Sequence, residues 1–162
     1  MKIALFCAYN QSVTEEYAHT IHRLVQDKGH TISIDLRLQK NFDSAGRAAD
    51  YFDSNQGQAS DFDVLFSLGG DGTLLRSIPF IYNSNVPILG INTGRLGFLT
   101  SLQKESLEKG LDLFFSKTCF LHCRVRVKDL AIFDVILCEI LSLEPDSQVW
   151  NRESRPKNKK GF

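Results

Sequence analysis

The sequence predicts an α/β domain that is built on an open, mostly parallel β-sheet with flanking helices. Two apolar runs, residues 64–68 and 86–91, lack the polar alternation of a half-exposed strand, as is typical of strands that are covered on both faces. Each run ends in a glycine-rich turn, and segments with helical apolar spacing accompany the runs. Buried strands that alternate with helices favour a parallel sheet over an antiparallel one.

Length and composition restrict the class of protein. The chain has 162 residues, of which 43% are hydrophobic and 23% charged, as expected for one globular domain. Its net charge is zero, so it lacks the overall basic field of a protein that binds nucleic acid or an anionic membrane. Small ligands are therefore the expected partners.

The cysteines and the amino terminus indicate a cytoplasmic protein. None of the cysteines forms a Cys-x-x-Cys pair, so reduced thiols are expected and no metal-ligating set is predicted. These cysteines are Cys7, Cys119, Cys123 and Cys138. The apolar run at residues 3–8 is too short for a signal peptide or a membrane span.

The first part of the chain predicts a strand, a helix and a second strand. Residues 2–8 form an apolar run that suits a buried strand. The following segment, from Ser12 onward, has helical apolar spacing, and Gly29 ends the helix. Residues 31–36 alternate between apolar and polar side chains, which predicts a strand more exposed than the first.

The middle of the chain predicts three helices. The polar segment 37–61 is expected to contain one short helix near residues 45–52. After the glycine turn at 69–73, a helix is predicted that Pro79 kinks or ends. Its buried side is marked by Leu74, Leu75 and Ile78. Another helix is predicted over residues 104–115, with a buried side formed by Leu107, Leu111 and Phe114.

The turn Gly69-Gly70-Asp71-Gly72-Thr73 follows the buried run at 64–68. Ligands of open α/β sheets bind at such strand ends, because backbone N–H groups and the positive end of the next helix converge there on an anion. Glycine allows positive φ and has no Cβ that would keep a phosphate away from those N–H groups. The turn is therefore predicted to bind phosphate.

Two charged residues near this turn are open to a functional and a structural interpretation. Asp71 would repel an anionic ligand unless it holds a cation between phosphates or accepts a proton from an attacking hydroxyl. Alternatively, Asp71 only caps the following helix. Arg76 lies one turn into that helix, where a cation opposes the helix dipole. It either binds an anionic partner or is a solvated surface arginine.

A second glycine-rich loop follows the strand predicted at 86–91. Its sequence is Asn92-Thr93-Gly94-Arg95-Leu96-Gly97, followed by Phe98 and Leu99. Because the carboxyl ends of parallel strands meet at one edge of the sheet, both glycine loops are expected at the same edge.

With both loops in view, the chain resembles the NAD kinase family. The resemblance lies in the segments 69–76 and 92–99, and it extends over roughly residues 1–127. It implies a Rossmann-like or phosphofructokinase-like fold. It also implies transfer of a phosphoryl group from ATP or polyphosphate to the adenosine-ribose 2′-hydroxyl of NAD, which gives NADP, with a divalent cation, Mg²⁺, as cofactor. NAD and ATP are the implied partners.

The resemblance also assigns roles to residues. Asp71 matches the catalytic base, Asp71, Gly72 and Arg76 match positions that contact the dinucleotide, and Phe98 matches an aromatic residue on the adenosine side. With the two loops, the predicted ligand-binding set is Gly69, Gly70, Asp71, Gly72, Thr73, Arg76, Asn92, Gly94 and Phe98. No residue is predicted as a metal ligand.

The carboxyl-terminal part departs from the family, whose members continue into a second, β-rich domain that we expect this chain to lack. Residues 1–127 are assigned to the α/β nucleotide-binding domain and end in a strand predicted at 120–127. Residues 128–143 are an apolar segment without family resemblance, and residues 144–162 are predicted to be a disordered polar tail.

Two hypotheses follow from this departure. The chain is either an NAD kinase that obtains missing elements elsewhere or a truncated or frameshifted remnant that binds nucleotide without catalysis. The sequence leaves open whether the chain forms a homo-oligomer.

Overall fold

The computed structural model describes most of the amino-terminal part of the chain. The described residues are 1–8, 12–46, 48–56, 59–82, 84, 86–94, 102, 106–116 and 137–138. The strand predicted at 120–127, the tail predicted at 144–162 and Phe98 lie outside them.

The described residues form strands and helices that alternate for most of the chain. The strands are β1 (Lys2–Cys7), β2 (Thr31–Asp35), β3 (Asp50–Phe52), β4 (Val64–Leu68), β5 (Ile88–Ile91) and β6 (Leu137–Cys138). The helices are α1 (Ser12–Asp27), α2 (Gln39–Ser44), α3 (Asp71–Ile81) and α4 (Leu107–Phe115). Short 3₁₀ turns lie at Leu36–Leu38 and Ala59–Asp61.

The strands form one parallel sheet in the order β3-β2-β1-β4-β5-β6. The predicted open, parallel α/β sheet is therefore confirmed. From β1 the chain builds the sheet outward in one direction through β2 and β3, and then returns to β4 and builds in the other direction. Such a reversal leaves a crevice outside the carboxyl ends of the two central strands, where ligands of open α/β sheets bind.

The two faces of the sheet are covered by different helices. On β1, Ile3 and Leu5 belong to one apolar cluster, which also contains the buried sides of α1 and α4. Ala4 and Phe6 point to the opposite face and belong to the cluster that contains the buried side of α3. Every residue of β4 and β5 is buried, which explains why their sequences contain no polar alternation.

The second strand is less exposed than its sequence predicts. It ends at Asp35, one residue before the predicted end, and its last four residues are buried. The predicted exposure was wrong because β3 pairs with the outer side of β2. Asp35 also accepts a hydrogen bond from the Arg37 backbone N–H (3.0 Å). The 3₁₀ turn begins at this point, and Leu36, its first residue, is 42% exposed.

The helix predicted near residues 45–52 was also placed wrongly. The helix in this region is α2, which ends before Gly46, a residue with φ +64°. Residues 50–52 instead form the edge strand β3, beside which the Tyr51 hydroxyl donates a hydrogen bond to Asp43 (2.8 Å). A strand of three residues is too short for a period of two to be read from its sequence.

The other two helices were predicted with different accuracy. In α4, the predicted buried residues Leu107, Leu111 and Phe114 are buried. In α3, Leu75 is 43% exposed, and the helix continues through Pro79 to Ile81. The polar residue Ser77 takes the buried place, because its hydroxyl donates to the Leu74 carbonyl (2.7 Å).

The chain after residue 127 contributes one described element. Leu137–Cys138, within the apolar segment predicted at 128–143, pair in parallel with Ile88 and Leu89 of β5. The predicted domain boundary at residue 127 stays a prediction.

Asp35 is a buried carboxylate at the end of β2 that is linked to the end of β1 through Arg37. It accepts a hydrogen bond from the Arg37 guanidinium (2.9 Å), which also donates to the Cys7 carbonyl at the end of β1 (2.8 Å). Burial nevertheless raises the pKa of the Asp35 carboxyl above its ordinary value of 3.8. The folded protein therefore binds this proton more tightly than the unfolded chain does.

This shift predicts a pH-dependent contribution to stability. The contribution of Asp35 is fully present below pH 3.8 and is lost as the pH rises through the raised pKa. In Asp35→Asn this contribution is absent, so the wild type should lose stability relative to the variant as the pH rises from about 4 to 7. Urea unfolding of both proteins across that range measures the difference, and a difference that does not change with pH would contradict the prediction.

Candidate functional site

A pocket of about 340 Å³ lies where β4 passes into α3. The residues that line it come from the start of α1, the end of β4, the glycine turn, the first turns of α3 and the loop after β5. In the part of the chain that the structure describes, they are Thr14, Leu68, Gly69, Gly70, Gly72, Thr73, Arg76 and Thr93. The pocket thus lies at the carboxyl ends of the central strands, the position that the reversal of strand order favours for a ligand.

The parallel pairing of β4 with β5 brings the two glycine loops to one edge of the sheet. Leu68 pairs with Ile91, and the N–H of the next residue, Gly69, donates to the Ile91 carbonyl (2.9 Å). The described part of the second loop, residues 92–94, therefore begins beside the glycine turn, as predicted.

Gly69 is required by its own conformation and by close packing. Its φ is +147°, in the region that side chains with a Cβ rarely adopt. A Cβ at this position would lie 2.3 Å from Thr73 Oγ1 and 2.8 Å from Thr73 Cβ. Gly69 thus sets the angle at which the chain leaves β4 and enters α3.

Gly70 and Gly72 have a different reason to be glycine. Among the described residues, and apart from its chain neighbours and nearby helix backbone, a Cβ added at either residue meets no atom within 4 Å. Both residues line the pocket. Gly70 is the N-cap residue of α3, and its carbonyl accepts hydrogen bonds from the N–H groups of Thr73 (2.9 Å) and Leu74 (3.2 Å). The missing side chains leave open the space in front of the first amides of α3, which can bind an anion.

Asp71 is the first residue of α3 and is half-buried. It does not line the pocket, although Gly70 and Gly72 on either side do. Because Gly70 is the N-cap residue, Asp71 does not occupy the capping position that the structural interpretation requires. A carboxylate in the first turn still interacts favourably with the helix dipole.

Thr73 and Arg76 are the other predicted site residues of α3 that the structure brings to the pocket. Thr73 is buried, whereas Arg76 is exposed at the rim. A guanidinium at this position can pair with an anion bound in front of the helix.

Asn92 and Gly94 do not line the pocket. Asn92 is buried, and its side-chain oxygen accepts a hydrogen bond from the Gly94 N–H (2.8 Å). The Asn92 N–H donates to the Leu102 carbonyl (2.8 Å). These contacts shape the second loop, so that Thr93 between them reaches the pocket. Phe98 lies outside the described residues.

Thr14 and Thr93 line the pocket as well, although no sequence pattern predicted them. Thr93 lies within the second loop and could have been included with its neighbours. Thr14 could have been found only from the prediction that β1 is central, because its position next to β4 depends on the strand order.

The end of β2 excludes one familiar mode of dinucleotide binding. In the common dinucleotide-binding fold, the glycine loop follows the first strand and a carboxylate near the end of the second strand binds the ribose. Here the glycine turn follows β4, and the carboxylate of Asp35 is paired with Arg37. Burial raises the pKa of the nearby Cys7 thiol to about 12, which disfavours the thiolate form that acts as a nucleophile.

The described residues contain neither a metal-ligating cluster nor a membrane-spanning helix. No group of three or more histidine, cysteine, aspartate or glutamate residues among them could hold a metal ion by itself. No described helix is both long enough and apolar enough to cross a membrane.

Together these features define an α/β protein with a glycine-lined pocket at the carboxyl edge of its sheet. Residues 3–118 match the model of the ATP-NAD kinase N-terminal domain. The chain therefore belongs to the NAD kinase family.

Individual relatives agree with this assignment. The NAD kinase of Flavobacterium johnsoniae is 38% identical over 115 residues, which cover 67% of this chain and 38% of that protein. The NAD kinase of Christiangramia forsetii is 33% identical over 120 residues, which cover 72% of this chain and 41% of that protein. This chain thus spans about two fifths of the length of these relatives.

A solved structure shows the same fold. The crystal structure of yeast NADH kinase complexed with NADH has a TM-score of 0.60 and a sequence identity of 19%. The match covers 86% of this chain and 46% of that chain.

The two kinds of glycine in the turn predict opposite effects on stability. Gly69→Ala should lower the free energy of unfolding by about 1–3 kcal/mol, the usual magnitude of backbone strain at one residue. Gly72→Ala should leave it unchanged or raise it by up to about 1 kcal/mol, because alanine favours a helix over glycine. Urea unfolding of both variants and the wild type measures these free energies. A Gly69→Ala protein as stable as the wild type would contradict the prediction, because it would show that Thr73 can move away from the added Cβ without a loss of stability.

Proposed function

We propose that this chain is the nucleotide-binding part of an NAD kinase. The reaction transfers the terminal phosphoryl group of ATP, or a phosphoryl group of polyphosphate, to the adenosine-ribose 2′-hydroxyl of NAD. The observation that supports this proposal best is the pocket in front of α3, whose glycines leave room for phosphate, in a chain of the NAD kinase family.

Asp71 is the proposed catalytic base. The ribose 2′-oxygen forms a bond to the terminal phosphorus of the donor, while the bond from that phosphorus to the leaving phosphate oxygen breaks. The proton of the hydroxyl passes to the Asp71 carboxylate, and ADP or a shortened polyphosphate leaves. Such a reaction depends on positioning and charge stabilisation more than on covalent catalysis.

The other site residues bind and position the ligands in this proposal. Phosphate occupies the open space at Gly70 and Gly72 in front of α3, and Arg76 pairs with a phosphate at the rim. Asn92 and Gly94 keep the second loop in place, and Phe98 contacts the adenosine side of the dinucleotide. We further propose a cytoplasmic location, with NAD and ATP as partners and without nucleic acid or membrane.

A divalent cation fits the residues that are present. Mg²⁺ in phosphoryl-transfer sites is commonly held by one or two carboxylates, by substrate phosphates and by water, and Asp71 supplies a carboxylate beside the pocket-lining glycines. Bound Mg²⁺ would neutralise charge on the phosphates of the donor. Because no described cluster could hold a metal by itself, the phosphates would supply most of its ligands.

A second candidate function is nucleotide binding without catalysis. It is favoured by the position of Asp71, the proposed base, which does not line the pocket. Both candidates use the same pocket, and they differ in whether this chain forms NADP.

Replacement of Asp71 tests the proposed role of the base. If the chain is an active kinase, Asp71→Asn should reduce turnover by about 10²–10⁴-fold, because the amide cannot accept the hydroxyl proton. Dinucleotide affinity should stay within a few-fold of that of the wild type. The assay measures phosphorylated dinucleotide with ATP and polyphosphate as donors and NAD and NADH as acceptors, since the similar yeast kinase is complexed with NADH.

Asp27→Asn is the matched control, because Asp27 is an exposed carboxylate at the last residue of α1. It should leave turnover unchanged. Undiminished turnover in Asp71→Asn would eliminate the role of Asp71 as base. Nucleotide binding by a wild-type chain that has no turnover would favour the second candidate function.

A further inference from the structure

Arg37 lies at the same edge of the sheet as the pocket, on the β1 side of the crevice. Its guanidinium donates a hydrogen bond to the carbonyl of Cys7 (2.8 Å), the last residue of β1. Cys7 pairs with Leu68 of β4, and Leu68 lines the pocket. Since paired strands lie roughly 5 Å apart, the Arg37 guanidinium is placed one strand away from the pocket.

Three contacts hold the Arg37 side chain in this place. Besides the bond to Cys7, the guanidinium donates to the buried carboxylate of Asp35 (2.9 Å), and its central carbon lies 5.2 Å from the centre of the Phe6 ring. Both hydrogen bonds use Nη1, and the side chain is still 33% exposed. The guanidinium is therefore fixed in position and accessible from solvent.

The ion pair of Arg23 and Asp27 in α1 has none of these features. Both of its side chains are 62% exposed, and the charged atoms lie 3.5 Å apart, as is usual for a surface pair with little effect on stability. Asp35 is buried instead, and its raised pKa shows that burial of the carboxylate is unfavourable. A stabilising role alone explains such a pair poorly, whereas side chains that bind ligands are commonly held by hydrogen bonds to supporting residues.

Two arginines thus flank the crevice from opposite sides. Arg76 lies at the rim of the pocket on α3, the helix that follows β4, and Arg37 lies over the end of β1. An anion bound in front of α3 is next to Arg76, whereas Arg37 is reached by a ligand that extends out of the pocket across the ends of β4 and β1. Nucleotides with more than one phosphate are ligands of this kind, because their charge is spread along the molecule.

We propose that Arg37 is a binding residue that pairs with a phosphate group of a nucleotide outside the pocket, at the end of β1. Asp35 is its positioning residue, because it orients the guanidinium without contacting the ligand. This inference rests on the proposed function in that a nucleotide occupies the pocket. The phosphate group belongs either to the phosphoryl donor or to the dinucleotide, and the experiment distinguishes the two.

Calorimetric titration of the full chain with ATP and, separately, with NAD tests the proposal. Arg37→Gln should weaken binding of the nucleotide that it contacts by about tenfold or more, the effect of losing one hydrogen bond between charged groups. The affinity for the other nucleotide should change by less than about twofold. The weakened affinity should also depend less on salt concentration than that of the wild type, because one ion pair with the ligand is missing.

Three further variants control this experiment. Asp35→Asn combined with Arg37→Gln leaves no buried charge without its partner, and it should lose as much affinity as Arg37→Gln. Asp35→Asn alone keeps the cation and an oxygen that accepts its hydrogen bond, so it should not weaken binding. Arg23→Gln removes an arginine from the exposed pair in α1 and should leave both affinities unchanged. Thermal unfolding of each variant establishes that it is folded.

The results separate this inference from the proposed function. Unchanged affinity for both nucleotides in the two Arg37 variants would overturn the role of Arg37 and leave the proposed function intact. A loss in Asp35→Asn as large as that in Arg37→Gln would also overturn it, because the loss would then follow from the disturbed ion pair. A wild-type chain that binds neither nucleotide would overturn this inference together with nucleotide binding at the pocket. The kinase activity is judged separately, by the formation of phosphorylated dinucleotide.

Discussion

The close contact between Gly69 and Thr73 determines where the pocket lies. Gly69 continues the sheet ladder by one hydrogen bond to Ile91 (2.9 Å), and its φ of +147° then turns the chain into α3. Only a residue without a Cβ allows this turn, because Thr73 occupies the adjoining space. The amides at the start of α3 are thereby fixed at the edge of the sheet. Their position depends on backbone packing and not on a flexible side chain.

The strand order explains why several distant segments meet at this edge. β1 and β4 are neighbours in the centre of the sheet, but α1 packs against one face and α3 against the other. The amino termini of helices that follow two such strands lie on either side of the crevice between the strand ends. Thr93, in the loop after β5, also lines the pocket, because β5 pairs with the other side of β4. The sheet, and not any single loop, therefore assembles the pocket.

The spacing of apolar residues in the sequence predicted the elements whose burial their own sequence determines. The apolar runs of β4 and β5 indicated strands that are buried on both faces, and the structure confirms this. Sequence patterns failed where a distant neighbour decides burial, as for β2, which β3 covers at its outer edge. In α3 the face was misassigned because Ser77 satisfies its hydroxyl within the helix and is buried. Thr14 was missed because it reaches the pocket only through the pairing of β1 with β4.

In the proposed function, phosphate binding and phosphoryl transfer have different structural requirements. The described residues that line the pocket lie between Thr14 and Thr93, within the segment that matches the family model. Transfer requires in addition that the acceptor hydroxyl be held near Asp71, in line with the terminal phosphorus. Orientation of that kind depends on contacts with the whole dinucleotide, whereas a helix amino terminus can bind an anion through its backbone N–H groups alone. The two proposed properties can therefore be measured independently of each other.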